Sequence, residues 1–410
     1  MDPAALSSSQ APSLSYSEKG VSLAKSLVGK ADLQAQPEKS DELLLSGLAE
    51  IEKSPETTAD EKLLARLVTT IDKGSIKPAD AAKAGLSILN AIASSMAGPA
   101  TAAIANTAVL CSRDFESPYE KNAITSRALT AISQHGDSTP VEQAFAAFAG
   151  GFSTGAFSGT TVDRIHREAL GALASSAMTG PAAALCGSFA LKIASDPSLA
   201  GNAYGESALH SGLKYIYKDE SCTAGQRSLA YHGLVAHLDP EIPYVIKNTY
   251  LEVLTSTPPG ELPRALAKAS LAGLNRLEDE LGKNFFLYWG LKTISENPDA
   301  PTIQKSLAAD GTALFSTVKE GRQLMGMQSA VLETIAALDP DAEKGAGLEA
   351  LRALKEKLGG SHHFKSLDML VDLEAESQGT QGQPAGGISS DDDFVTIGGV
   401  KLKVQRFLAL

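Results

Sequence analysis

Apolar residues in this chain recur at the spacing of one buried helical face. The pair Ala128-Leu129 has Ile124 four residues before the alanine and Ile132 four after it. Positions i−4, i, i+1 and i+4 share one side of a helix. The same phrase returns at Ile165, Ala169-Leu170 and Leu173. The marker position falls at Gly47, Ile88, Ala128, Ala169, Ala208, Tyr250, Gly290 and Val331, in steps of 39 to 42 residues, and leucine follows it every time. A second set of positions, Leu64, Ile104, Phe145, Leu185, Leu229, Leu266, Leu307 and Leu348, keeps nearly the same spacing. Two markers of one period predict eight two-helix hairpins.

Helix breakers fall between the markers: Gly98-Pro99, Thr139-Pro140, Gly180-Pro181, Asp239-Pro240, Pro258-Pro259-Gly260 and Asp339-Pro340. Proline suits a first helical turn and glycine a helix end. Thr139 and Glu142 read as an N-cap and a carboxylate at the third helical position. Two units are nearly copies, because Ile88–Leu110 and Ala169–Leu191 share an Ala-Ser-Ser run, a Gly-Pro corner and an alanine-rich second helix.

This reading divides the chain into a disordered 1–15, a helical-repeat domain over 16–375, a flexible acidic linker over 376–393 and a peptide tail over 394–410. The repeats run from 41 to 373. A helix at 17–30 is expected to cap the first of them, and Phe364–Leu373 the last, since a terminal repeat has no neighbour to cover it. Gly398-Gly399 between two strand-like runs predicts a short β-hairpin in the tail.

The fold class is all-α. A period near 40 with two helices per unit resembles HEAT and armadillo proteins, whereas tetratricopeptide and ankyrin units run to about 33–34 residues. The resemblance covers Asp41 to Leu373 and rests on period and pattern. It implies a right-handed α-solenoid of about eight repeats that binds a partner protein along its face.

Composition narrows the functions. The chain has 36 basic and 48 acidic residues, a net charge of −12, which disfavours phosphate backbones and hence nucleic acid. Three cysteines without a CxxC spacing suit a reducing, cytoplasmic compartment. Met1–Ser15 lacks the basic and apolar regions of a secretory signal. Its Ser-rich composition resembles the N-terminal signals of effectors exported by bacterial type III systems, which implies delivery into a host cell.

The pattern predicts no catalytic residue, cofactor or metal site. Histidines are scattered, with no HExxH, and no phosphate-binding loop is present. A glycine-rich stretch from Gly150 to Gly159 reads as a loop between repeats, with Phe152 and Phe157 as candidate contacts. Two other functions stay open. The charge-free hairpins 84–112 and 169–191 would suit a membrane-inserting protein, and convergent acids would suit a helical-barrel enzyme.

The most specific linear signal is Asp391-Asp392-Asp393-Phe394-Val395-Thr396-Ile397. It resembles the LIR-type peptides bound by ubiquitin-like autophagy modifiers. The resemblance implies that Phe394 and Ile397 fill two apolar pockets, that the three aspartates meet basic residues, and that the peptide adds as a strand to a sheet edge. Ser389 and Ser390 are candidate phosphosites that would add charge.

Overall fold

The computed structural model describes residues 14–34, 36–69, 77–95, 99–153, 157–175, 178, 180–197, 202–236, 242–338, 344–358, 394–397 and 400–403. Seventeen α-helices and two short strands lie among them. The chain divides into two compact units, 1–208 and 209–410, with the boundary inside α10 (Asn202–Lys218).

The first unit holds α1 (Glu18–Asp32), α2 (Pro37–Lys53), α3 (Ala59–Thr69), α4 (Pro78–Ala93), α5 (Ala100–Arg113), α6 (Pro118–Gln134), α7 (Pro140–Gly150), α8 (Gly159–Ser175) and α9 (Ala182–Ala194). Four of these start on proline, whose fixed φ and missing N–H fit the first turn. Gly180 sits at φ +107° just before Pro181 and α9, a left-handed geometry that a side chain resists. The second unit holds α11 (Ala224–Val235), α12 (Ile242–Ser256), α13 (Leu262–Gly273), α14 (Glu280–Glu296), α15 (Thr302–Thr317), α16 (Gly321–Ala337) and α17 (Lys344–Lys357). Near the C-terminus, β1 (Phe394–Ile397) pairs antiparallel with β2 (Val400–Lys403), with Phe394 opposite Lys403 and Ile397 opposite Val400.

The marker stripe is the core. Leu48, Leu89, Leu129, Leu170, Leu209, Leu251, Leu291 and Leu332 each have 0 % of their surface exposed. Each such leucine is worth about 1.5–3 kcal/mol relative to leaving it in water. The second marker holds less evenly. Leu64, Ile104, Phe145, Leu229, Leu266 and Leu307 are buried, but Leu185 is only half covered. In α9 the buried line runs instead through Ala183, Cys186 and Ala190.

Packing alternates along the chain. Within the first unit α1 lies along α4 and α5 along α8, while α3 meets α6 only at a corner. Within the second, α13 lies along α16, and α11 meets α14 lightly. The packing motif thus spans four helices, two of the units counted from sequence. The near copy of Ile88–Leu110 in Ala169–Leu191 is its trace in the sequence.

Some expectations shift. Leu14 and Ser15, the last residues of the segment expected to be disordered, are described: Leu14 is buried and Ser15 hydrogen-bonds Asp60. The second helix starts at Pro37, ahead of the expected 41, because proline begins its first turn. The proposed terminal cap 364–373 and the linker 376–393 lie outside the described residues. Among the described residues no helix is long and apolar enough to cross a membrane. The charge-free stretch 84–112 is divided between α4 and α5, and Ala84, Ala91, Ala103 and Ala108 are covered by protein.

Helices approach most closely at glycine. A Cβ on Gly273 of α13 would stand 2.6 Å from the ring of Phe286, itself buried on α14. Gly273→Ala gains about 1 kcal/mol of helix propensity but forces a rigid ring to move, which typically costs about 1–3 kcal/mol. The expected outcome is a net loss of stability, read as a lower urea midpoint. A midpoint equal to or above that of the parent would mean that α13 and α14 are further apart than described.

Candidate functional site

The densest set of buried polar groups forms where the N-terminal segment meets α3 and the corner after α6. Helix α3 opens with a reciprocal cap: Glu61 N donates to Thr58 Oγ1 (3.1 Å), and Thr58 N donates to Glu61 Oε2 (2.8 Å). Glu61, fully buried, also accepts from Ser17 N (2.9 Å) and Ser17 Oγ (2.8 Å), so it holds the start of α1 as well. A carboxylate against a helix N-terminus is favoured by the helix dipole. One residue earlier, Asp60 Oδ2 accepts from Ser15 N (2.7 Å) and Ser15 Oγ (2.9 Å). Its Oδ1 lies 2.8 Å from His135 Nε2, at the end of α6.

Burial pushes the Asp60 carboxyl up, but the hydrogen bonds from Ser15 and His135 outweigh it, leaving it below the usual range. The Tyr16 phenol beside this site is pushed up to about 12, first by burial and then by Asp60 and Glu61.

Asp60, His135 and Asp137 bring three ligand-type atoms within 4.8 Å of one another, which raises the question of a metal. The hydrogen bonds answer it. His135 Nδ1 accepts from Asp137 N at 3.3 Å, so the ring proton sits on Nε2 and is donated to Asp60. Neither ring nitrogen is left for a cation, and both Asp60 oxygens are engaged. The donor set fits a hydrogen-bonded lock between α3 and the α6–α7 corner.

The same lock recurs in the second unit with other residues. Asn297 ends α14, as His135 ends α6, and its Oδ1 accepts the amide of Asp299 two residues on (2.9 Å). Asp299 Oδ2 then accepts from Gly225 N (2.7 Å), in the first turn of α11. Thr223 and Gln226 cap α11 reciprocally, as Thr139 and Glu142 cap α7. Thr-x-x-Glu or Thr-x-x-Gln at 58, 139 and 223 was the sequence signal for these corners, at twice the hairpin period. A search at a period near 40 passes over it.

The glycine-rich loop is held from inside. Phe152 and Phe157 are 3 % and 5 % exposed. Phe152 packs edge-to-face on Phe148, Phe157 and Phe189, and Phe157 stacks on Tyr204. They anchor the loop by packing inward. Their apolar rings find cover that the glycines around them cannot provide. His166 of α8, 1 % exposed, reaches the loop with Nε2 at 3.1 Å from the Phe152 carbonyl, and its Nδ1 is 3.5 Å from Thr125 Oγ1.

In the tail, Phe394 and Ile397 are the first and last residues of β1. Asp391, Asp392, Asp393, Ser389 and Ser390 lie outside the described residues.

Burial holds His166 down to about 4, against 6.5 when unfolded; its bond to Phe152 opposes this only in part. A depressed folded value means that the unfolded chain takes up the proton first. Stability is therefore full above about 6.5 and falls as the pH drops toward 4. Between pH 7 and pH 5 this group should cost roughly 2 kcal/mol. Urea titrations at both values should show His166→Gln losing that much less than the parent. Equal losses would mean that the imidazole already carries its proton in the fold.

No protein-family model matches the chain, and no match is found among the curated proteins or the solved structures.

Proposed function

We propose that this chain is a non-enzymatic scaffold, a HEAT- or armadillo-like α-solenoid that binds a partner protein along its helical surface. The observation that carries this reading is the burial of all eight marker leucines in successive hairpins. A module that buries one stripe by stacking on its neighbours leaves a surface that grows with every module, and such surfaces bind proteins. Buried titratable groups support it too. Asp60, His135 and Glu61 hold one element to another through defined hydrogen bonds, and the exposed Asp299 does so in the second unit. They are arranged as fastenings, not around a shared reacting atom.

The tail is the second contact. Asp391, Asp392 and Asp393 would meet a basic rim, and Phe394 with Ile397 would supply the apolar anchors for a ubiquitin-like autophagy modifier. Strand addition needs an unpaired edge. One edge of β1 is already taken by β2, so such a partner would use the other edge or displace β2.

Affinity capture with the full chain, read by mass spectrometry, tests both contacts. The chain should recover a discrete set of proteins. The variant D391N/D392N/D393N/F394A should lose only those that bind through the tail. An unchanged set would remove the tail from binding. A chain that recovers nothing beyond an unrelated bait of equal net charge would remove the scaffold reading.

A further inference from the structure

Helix α14 differs from the other marker helices in being apolar on its outward side as well. Phe286, Gly290 and Ile294 face the core. On the opposite side, at helical spacing, stand Leu281, which is 59 % exposed, and the half-buried Phe285 and Tyr288. These two rings touch Phe315 of α15, at centroid distances of 5.1 and 4.9 Å. Tyr288 also meets Trp289 (6.1 Å). Trp289 meets His232 of α11 (6.3 Å), and His232 meets Tyr231 (5.7 Å). Tyr231 meets Tyr217 of α10 (5.7 Å), and these two tyrosines are 45 % and 43 % exposed. Rings from four helices of the second unit thus form one unbroken series, buried in the middle and open at both ends.

Charge follows the rings. A cation stands three or four residues from each outward ring: Lys214 by Tyr217, Arg227 by Tyr231, Lys292 by Tyr288 and, two residues past the end of α15, Lys319 by Phe315. At the same spacings the only acid is Glu220, beyond the end of α10, and one further acid, Glu296, lies 3.2 Å from His232 Nε2. Lys292 Nζ lies 5.1 Å from the centre of the Trp289 ring, a cation–π contact. In a chain with twelve more acids than bases, this local excess of cations beside exposed aromatics stands out.

We infer that this aromatic ridge is a docking surface for an acidic linear peptide carrying an aromatic or aliphatic anchor. The inference rests on the scaffold reading and gives it a place and a partner chemistry. Exposed tyrosine and phenylalanine offer rigid apolar area at low entropic cost. The flanking cations pair with acids next to the anchor and would repel a basic segment. Single-stranded nucleic acid also stacks on rings beside cations. The net charge of −12 opposes a phosphate backbone, and the central rings, Trp289 and His232, are too deeply buried to offer a face to a base.

The probe is a labelled synthetic peptide of residues 388–399, which has three aspartates before a phenylalanine. The protein is the full chain carrying D391N/D392N/D393N, so that its own tail does not compete. Binding is followed by anisotropy and by the emission of Trp289, the single tryptophan. The peptide should bind, shift that emission and weaken as salt rises. K292E and Y288S should each weaken it at least tenfold, and so should asparagine in place of the peptide's aspartates. K292E reverses one charge and removes the contact with the Trp289 ring, so for this variant binding is read by anisotropy alone, and it keeps the test valid should Y288S fold poorly. Binding that survives both K292E and Y288S overturns the ridge assignment while leaving the scaffold reading intact. So does an absence of peptide binding by a chain that still captures partners. Displacement of the peptide by a fifteen-residue oligothymidine would make the ridge a nucleic-acid platform and overturn the inference. If neither peptide nor partners bind, it is the scaffold reading that fails.

Discussion

A two-helix hairpin with one apolar stripe cannot cover that stripe by itself, and everything else in this structure follows from that constraint. The leucine after each marker is removed from water in every hairpin, including those whose marker is a glycine. Where the marker is Gly47 or Gly290, the neighbouring helix comes so near that a Cβ would overlap Leu27 or Ser270. Close approach gives dense contact among small residues, which explains why alanine and glycine do so much of the packing here and aromatics so little.

Apolar burial is not directional, so it does not say which neighbour a hairpin should choose. Polar corners supply that direction. Glu61 ties α3 to the start of α1, and Asp60 ties it to the end of α6. Thr101 of α5 donates to Glu142 at 3.1 Å and accepts from Ser138 Oγ at 2.8 Å, which sets α5 against the corner before α7. Each of these groups is buried, and a buried carboxylate or hydroxyl without a partner would cost more than the contact contributes. In the second unit Asn297, Asp299 and Gly225 do the same work with one carboxylate and a backbone amide in place of the acid and imidazole.

The aromatic ridge belongs to a different category. Phe145, Phe148, Phe152 and Phe189 lie inside the first unit and close over one another. Tyr217, Tyr231, Tyr288 and Phe315 make the same kinds of ring contact and remain partly in water. Rings that pack against one another without being covered have apolar area to give to something else, and the lysines and arginine beside them set the sign of what that is.

Much of the fold could be read from the chain. Helical period, marker leucines, proline starts and the cap at Thr139–Glu142 are local properties, fixed by which residues lie within a turn or two of one another. The meeting of α3 with the end of α6 was not legible at a period near 40, because it is set by contacts between residues such as Asp60 and His135, 75 positions apart. The fate of Phe152 and Phe157 was likewise hidden. A phenylalanine in a glycine-rich loop reads the same whether it faces water or the cluster formed with Phe189, and only the neighbouring helices decide. For α14 the ambiguity ran the other way, since Phe285, Phe286, Leu287, Tyr288 and Trp289 are apolar in succession and no periodicity separates them. Sequence determined that this chain makes helices and which leucines they bury, since those depend on backbone geometry and hydration over a few residues. Tertiary structure alone decided which polar groups lock the hairpins and which rings stay outside, since both depend on partners brought in from far along the chain.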